Sequence, residues 1–144
     1  YLIIDNETVI ALTAAAKRGV DVRIITPGIP DKKLIFLLTQ SHYEPLLRAG
    51  VKIYQYTPGF IHAKSFLCDD KVGTVGSINL DYRSLYLHFE CGVFMYKTKA
   101  LEQLKKDCLE TFEQSEEMTL EFCRNQNVFI QILQGMMRLI APLL

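Results

Sequence analysis

The sequence predicts an α/β domain with a mixed β-sheet flanked by helices, and three observations lead to this fold class. Runs rich in β-branched residues alternate with helical patterns over residues 1–56, in the order β-α-β-α-β. Two further β-type runs then follow each other closely enough to pair as a hairpin. From residue 98 onward the pattern is mainly helical.

The first strand and helix are predicted from the residues at their ends. The opening run YLII is typical of a short buried strand. Asp5 and Asn6 are of the types that cap helix N-termini, and Gly19 is of the type that ends helices. The sequence therefore predicts a helix over 8–18 between them.

The next three elements complete the alternating order. Residues 20–26 predict a strand, and a helix over 32–48 is expected to bend or split near Pro45, which has no N–H to donate. Alternating residues over 51–56 predict a further strand. His42 falls in the polar part of the second helix and is interpreted as an ordinary surface histidine.

The hairpin is predicted from two apolar runs with a turn between them. Residues 61–68 and 72–77 are the two strands, and the Asp-Asp-Lys sequence at 69–71 is the turn. Another strand is expected over 90–96.

Two helices are predicted in the last part of the chain. One begins after Thr98, and the other spans 128–140 and is stopped by Pro142. The second has an apolar stripe at helical spacing, which is predicted to dock on the domain or on another part of a longer protein. Its members are Phe129, Ile132, Leu133, Met136, Met137 and Ile140, with Gln131, Gln134 and Arg138 opposite. The expected division is a domain over 1–118 and a helical segment over 119–144.

Composition narrows the classes of function. Lys plus Arg number 16 and Asp plus Glu number 16, and no basic run exists that would follow a phosphate backbone, so a nucleic-acid partner is disfavoured without being excluded. The four cysteines have no CxxC spacing and are expected to be reduced thiols. No 18-residue apolar run occurs. The strand-like start without methionine suggests a piece of a longer protein.

A polar constellation interrupts the apolar hairpin. His62 and Lys64 share one face of a predicted strand, and Ser77 and Asn79 share a face in the paired segment. Gly76 lets a ligand approach without a side chain in the way. If the two faces coincide, an imidazole, a cation and two neutral donors converge, as binding and cleaving a phosphodiester require. No carboxylates or histidines are spaced to hold a metal, which favours a metal-independent route without a cofactor.

The pattern His-x-Lys-x4-Asp-x6-Gly-Ser-x-Asn at 62–79 resembles the HKD motif of the phospholipase D superfamily. The continuation NLDYRSLYLHFE (79–90) is similar to bacterial cardiolipin synthases. So are AAKRGVDVRIITPGIPD (15–31), LLRAGVKIYQYTPGFIHAK (46–64) and the closing MRLIAPLL. This resemblance implies a phospholipase D-like α/β sandwich and a phosphohistidine intermediate formed between two HKD motifs, of which this chain holds one.

The resemblance also implies roles for the motif residues. His62 would belong to the catalytic pair, and Lys64 and Asn79 would hold phosphate oxygens with Ser77 in the same pocket. Glu90 would accept a hydrogen bond from the second ring nitrogen of His62 and fix its tautomer.

Asp69, which gives the motif its third letter, counts among the candidate catalytic residues. It lies at the turn end of its strand, so a structural salt bridge is expected of it rather than chemistry. His88 stands where the resembling family more often has Asn, and its role is left open.

The implied function is one half of a phosphatidyltransferase that condenses two phosphatidylglycerols into cardiolipin and glycerol. The implied partners are phosphatidylglycerol, a membrane surface reached through the parent protein, and a missing N-terminal HKD half or a second copy. The implied location of the parent is the bacterial cell membrane, whereas this piece by itself is expected to be soluble and inactive. The alternatives are a phospholipase D-like hydrolase or a nuclease, with water as acceptor, and an inactive module that only docks to its other half.

Overall fold

The computed structural model describes residues 1–141, which form small sheets flanked by helices, as expected for a mixed α/β fold. The strands are β1 (Leu2–Ile3), β2 (Arg23–Pro27), β3 (Lys52–Tyr56), β4 (Ser65–Cys68), β5 (Val72–Gly76), β6 (Leu80–Asp81), β7 (Gly92–Tyr96) and β8 (Ser115–Glu117). The helices are α1 (Asn6–Lys17), α2 (Lys33–Ser41), α3 (Tyr43–Arg48), α4 (Ala100–Glu113), α5 (Leu120–Arg124) and α6 (Val128–Ile140), with one π-helical turn at Arg83–Leu87.

The strands within the described residues are divided among three sheets. The first has the order β2-β3-β8, with β2 parallel and β8 antiparallel to β3. The second is the antiparallel sheet β4-β5-β7, which contains the predicted hairpin. In the third, β1 pairs in parallel with β6 and not with β2. As a result β2 and β4 are both edge strands.

The prediction for α1 is confirmed at both ends. The side chain of Asp5 accepts a hydrogen bond of 2.7 Å from the backbone N–H of Thr8, which is the N-cap arrangement. Asn6 is the first helical residue rather than a cap. Gly19 lies beyond the helix with a φ of +90°, a conformation that glycine adopts without steric cost.

The second predicted helix is split into α2 and α3, and the break lies at His42 rather than at Pro45. Pro45 explains this break three residues before it, because a continuous helix would require the N–H of residue 45, which proline lacks, to bond the carbonyl of Ser41. Pro45 lies in the first turn of α3, where a missing N–H costs little.

The core is centred on α3 and β3. Tyr43 is fully buried, and its hydroxyl lies 2.6 Å from Oγ1 of Thr26 and accepts a 3.1 Å hydrogen bond from Nε2 of Gln55. Its polar atom is therefore satisfied inside an apolar cluster. The other buried members of the cluster are Leu2, Ile4, Leu46, Val51, Ile53 and Met118.

The interpretation of His42 as a surface residue is wrong. Its side chain is buried at the junction of α2 and α3, and neither ring nitrogen has a hydrogen-bond partner within the described residues. Its polar neighbours in the sequence suggest exposure, but the break between α2 and α3 turns this position toward Arg138 of α6 and the core. Burial, and secondly the Arg138 guanidinium, lower the pKa of His42 from 6.5 to about 4.

We expect the stability of the protein to fall as the pH is lowered from 6.5 to 4, because the unfolded imidazole takes up a proton that the folded one refuses. The contribution of neutral His42 to the free energy of unfolding is present in full above pH 6.5. Between pH 6.5 and pH 4 it decreases by about 1.4 kcal/mol per pH unit. Urea denaturation at pH 7 and pH 5 measures it. His42→Phe should remove most of this slope, whereas His88→Gln at an exposed position should retain it. An unchanged slope in His42→Phe would contradict the assignment.

Helix α6 begins and ends where predicted, but most of its apolar stripe is exposed to solvent. It packs on α2, where Met137 shares a buried cluster with Leu38, and Nε2 of the buried Gln134 has no partner among the described residues. Apolar side chains of the stripe remain in solvent instead: Phe129, Ile132, Leu133, Met136 and Ile140 are 40–82 % exposed. Only Met137 of the stripe is buried among the described residues, and docking of the rest on the domain or on another part of a longer protein stays a prediction. The predicted stop at Pro142 lies outside the described residues.

Several short elements were not predicted. Strand β8 and helix α5 occupy residues for which no structure was expected, and β8 adds to β3 while α5 packs near α3. Met118 between them belongs to the buried core. The division of the chain at 118/119 remains a proposal.

Candidate active site

The hairpin β4–β5 brings the two halves of the polar constellation together. The motif residues lie just outside the strands, since His62 and Lys64 precede β4 and Ser77 and Asn79 follow β5. The backbone N–H of Gly76 donates a 3.1 Å hydrogen bond to the carbonyl of Lys64, which closes the open end of the hairpin. Hairpin pairing thus places the two segments that bear these residues at one strand end rather than on a strand face, and the convergence of the four side chains stays a prediction.

Lys64 is the half-buried cation of this end of the hairpin. Its Nζ donates a 2.7 Å hydrogen bond to the backbone carbonyl of His62. Burial lowers the pKa of Lys64, and the carboxylates of Glu90, Asp31 and Asp81 act in the opposite direction. These three carboxylates favour the charged form of a side chain suited to bind an anionic oxygen.

The imidazole of His62 is exposed to solvent, and its ring nitrogens form no hydrogen bond with the described residues. It stacks on the ring of Phe60 with the centroids 5.7 Å apart and an interplanar angle of 17°. A reacting group can therefore reach it from solvent.

Glu90 contacts Ser77 and not His62. The hydroxyl of Ser77 donates a short hydrogen bond to the Glu90 carboxylate and accepts one of 3.0 Å from the backbone N–H of Cys91. The Ser77 hydrogen bond, followed by one from Ser84, lowers the pKa of Glu90. The predicted contact between Glu90 and His62 is absent from the described structure, and a phosphate contact by Ser77 requires its hydroxyl to leave Glu90.

Asp69 lies at the closed end of the hairpin. Four residues separate it from Lys64, and the five steps along an extended chain span roughly 16 Å at ~3.3 Å per residue, so the two cannot contact one phosphorus atom. The salt bridge expected of Asp69 is formed instead by its neighbour Asp70, which pairs with Lys105 of α4. Asp69 and Asp70 both have positive φ angles, 50° and 55°, and the N–H of Lys71 bonds the carbonyl of Cys68 across the turn. We interpret Asp69 as a turn residue.

Gly76 permits the close approach of β5 to β7. A Cβ placed there would lie 2.3 Å from the carbonyl oxygen of Cys91 and 2.5 Å from Cα of Gly92. Both contacts are with backbone, which side-chain rotation cannot relieve.

We therefore expect Gly76→Ala to reduce the free energy of unfolding by about 1–3 kcal/mol, as overpacking does, and to displace Ser77. Gly92→Ala is the matched control on the facing strand, because its nearest contact would be an ordinary 3.6 Å to Ile78 and Val75. Denaturant titration of both variants tests this. Equal stability of the two would refute the steric argument.

His62, Lys64 and Asn79 line one open cleft of about 670 Å³ that follows the whole length of β4. Asp31 lines the same end of the cleft and accepts a hydrogen bond from the hydroxyl of Tyr1. Sequence reasoning did not identify Asp31 as a site residue. Asp31 could have been found from its position just beyond the carboxyl end of a predicted strand, because α/β sheets bind ligands at that edge.

Two kinds of feature are absent from the described residues, a metal-binding cluster and a membrane-spanning helix. Among residues 1–141, no group of three or more His, Cys, Asp or Glu side chains is arranged to hold a metal ion. No helix in the same range combines the length and apolarity needed to cross a bilayer.

Comparison with known proteins extends these observations. Residues 1–114 match the family model described as cardiolipin synthase, PLD-like domain. All 144 residues align with the cardiolipin synthases of Halalkalibacterium halodurans, at 39% identity, and of a Geobacillus species, at 38% identity. A Streptococcus mutans protein whose name states no function is 51% identical over the same length. The chain spans only 29–31% of the length of these relatives.

A solved structure also resembles the fold. The phospholipase D family member Nuc from Salmonella typhimurium superposes with a TM-score of 0.69 at 20% identity. The superposition covers 82% of this chain and 77% of that one. At this identity the likeness shows the phospholipase D fold alone.

Proposed function

We propose, from the premise that this chain belongs to the family of cardiolipin synthase PLD-like domains, that it supplies one catalytic half of a phosphatidyltransferase. The observation that carries the proposal is that His62, Lys64 and Asn79 line one cleft and come from the two segments that flank the open end of the β4–β5 hairpin. An exposed imidazole beside a cation and a carboxamide matches the needs of phosphodiester transfer. The zero net charge favours a lipid over a nucleic-acid substrate.

In the first proposed step, a ring nitrogen of His62 attacks the phosphorus of phosphatidylglycerol. The phosphorus–oxygen bond to glycerol breaks, and the departing oxygen takes a proton from an acid on a second HKD half. Lys64 and Asn79 hold the non-bridging oxygens, whose negative charge grows in the transition state. The product is a phosphatidyl group bound to His62 through a phosphorus–nitrogen bond.

In the second step, a hydroxyl of another phosphatidylglycerol attacks the same phosphorus. Its proton passes to the group that acted as the acid, and the phosphorus–nitrogen bond breaks to release cardiolipin. Glu90 and Ser77 act as positioning residues in this scheme, because their hydrogen bond orders the segment after β5 beside Lys64.

The need for a second half has support in the exposed surface next to the site. An apolar patch follows Ser77 along the π-helical turn and β7, and its members are 62–108 % exposed: Tyr86, Leu87, Phe89, Val93 and Phe94. Large apolar side chains exposed in this number are typical of an interaction surface. We propose that an N-terminal HKD half or a second copy covers it, in a parent protein located at the bacterial membrane.

The test is an assay of the complete gene product with labelled phosphatidylglycerol in mixed micelles, and with DNA in parallel. The expected products are cardiolipin and one glycerol per cardiolipin formed. Phosphatidic acid without cardiolipin would assign a hydrolase, and DNA cleavage without lipid turnover would assign a nuclease. No turnover of either substrate would favour the inactive docking module.

Addition of EDTA to the same assay is expected to leave the rate unchanged, because the proposed steps use an imidazole, a lysine and a carboxamide rather than a metal-bound group. The rate is measured over a range of chelator concentrations. Strong inhibition that added Mg²⁺ or Ca²⁺ reverses would refute the metal-independent route.

A further inference from the structure

Helix α6 presents a broad apolar face to solvent. Its buried side is formed by Gln134 and Met137, which are one turn apart. On the other side seven apolar side chains are 40–82 % exposed: Val128, Phe129, Ile132, Leu133, Met136, Leu139 and Ile140. At 3.6 residues per turn these seven occupy one arc of about 140°. The charged residue of α6, Arg138, lies outside this arc. An exposed apolar face of this width is typical of an interaction surface.

Helices α2 and α6 run antiparallel. Nε2 of Gln126, which comes just before α6, lies 3.5 Å from Oε1 of Gln40 near the end of α2. At the other end, Ile35 in the first turn of α2 packs against the buried cluster that contains Ala141. The start of α2 therefore lies beside the end of α6.

The start of α2 adds positive charge to the end of α6. Lys32 and Lys33 are exposed at the first turn of α2, and Arg138 is exposed in the last turn of α6. None of these three side chains forms a salt bridge with another residue of 1–141. Of the carboxylates nearby, Glu7 shares a polar pocket with Arg138, and Asp31 lines the catalytic cleft. The apolar face thus has a cationic border, and that combination is complementary to an anionic phospholipid surface.

The cationic border leads to the proposed active site. Asp31, which directly precedes the two lysines, lines the cleft together with His62 and Lys64. The phosphodiester of a membrane lipid lies among the head groups, next to the acyl-chain region. His62 therefore has to reach the membrane surface to attack a lipid phosphorus. A bilayer held by α6 would lie at the end of the domain that carries the catalytic groups.

We propose that the exposed face of α6 is a membrane-docking surface, which lies in the interface of an anionic phospholipid bilayer. Interfacial helices bury their apolar face about 5–10 Å into the boundary between head groups and acyl chains. Lys32, Lys33 and Arg138 then lie among the lipid phosphates, which their long apolar stems allow them to reach. The choice of lipid as the occupant rests on the proposed function. Docking of the same face on a protein segment is the alternative that the test has to distinguish.

Photo-cross-linking in the complete gene product identifies what covers α6. p-Azidophenylalanine replaces Phe129, an 82 % exposed side chain of similar shape, and the protein is reconstituted in phosphatidylglycerol vesicles. We expect adducts with the mass of one phospholipid. The matched control has the same group at Gln131, which is exposed outside the apolar arc, and should give at least fivefold less lipid adduct. Cross-links to polypeptide alone at position 129, or equal lipid yields at the two positions, would overturn the proposal.

The lipid composition of the adducts tests the cationic border. With the photoreactive group at Leu139 and vesicles of equal phosphatidylglycerol and phosphatidylcholine, we expect at least twofold more adducts with the anionic lipid. Lys32→Gln combined with Lys33→Gln should bring the ratio close to one. Lys17→Gln combined with Arg18→Gln, at the far end of α1, removes the same charge and should retain the excess. A ratio that the first pair of substitutions leaves unchanged would refute the role of the two lysines.

Neither measurement requires turnover. Lipid adducts at position 129 without cardiolipin formation would support the docking surface while the proposed reaction failed. Cardiolipin formation with polypeptide adducts alone at position 129 would support the reaction and overturn the docking surface.

Discussion

Replacement of His62 by alanine in the complete gene product is expected to lower kcat for cardiolipin formation by about 10⁴-fold or more, as loss of a catalytic nucleophile does. The imidazole is the proposed attacking group, and the described structure offers no substitute: His42 is buried and His88 lies beyond the cleft lining. The loss should appear in kcat and kcat/KM alike. Steady-state turnover of phosphatidylglycerol measures both.

The fold should survive this substitution, because His62 is exposed and its imidazole stacks on the exposed ring of Phe60. We expect a change in stability within about 0.5 kcal/mol, typical of surface substitutions. His88→Ala is the suitable control and should alter the rate only a few-fold. His42→Ala is unsuitable, because it would open a cavity beside α6. Near-normal turnover by His62→Ala would refute the site assignment.

Replacement of Lys64 by methionine is expected to lower kcat by about 10²–10³-fold, the usual effect of removing one donor to a transition-state oxyanion. Methionine retains the length and apolar stem of the half-buried side chain but not its charge. Asn79→Ala should act in the same direction, because its carboxamide is proposed to hold another phosphate oxygen. KM should change much less than kcat in both variants.

The matched control is Lys71→Met at the closed end of the same hairpin. This exposed lysine is far from the site, so its replacement tests the effect of removing one positive charge from the hairpin. We expect its kcat to stay within about twofold of the unmodified protein. If Lys64→Met raised KM with kcat unchanged, Lys64 would serve ground-state binding and the proposed role would be wrong.

Local signals predicted much of the fold because they act within a few residues. The Asp5 cap and Gly19 define α1, and the Asp-Asp turn at 69–70 defines the hairpin that assembles the motif. These features require no knowledge of distant chain. Gly76 was singled out for a different reason, the approach of a ligand, whereas the structure shows that the pairing of β5 with the more distant β7 leaves no room for a side chain there.

What was missed depends on distant partners. His42 is buried because the α2–α3 break turns it toward α6, which lies more than eighty residues away in sequence. The periodicity of α6 identified an apolar stripe, but it contains no information on what faces that stripe. Strand β8 is polar and becomes a strand only because β3 offers an edge. Asp31 joined the site through the packing of β2 and not through a motif.

The positive φ angles at Asp69 and Asp70 have a consequence for how such chains are recognised by pattern. Aspartate tolerates this left-handed backbone better than most residues, and asparagine or glycine tolerates it at least as well. The third letter of the motif would then record the geometry of a turn, while the first two letters record chemistry. A search that demands aspartate at this position would discard homologues with Asn or Gly there, although their reacting groups would be intact. A pattern that weights His62, Lys64, Gly76 and Asn79, and accepts any turn former at 69, would retain them.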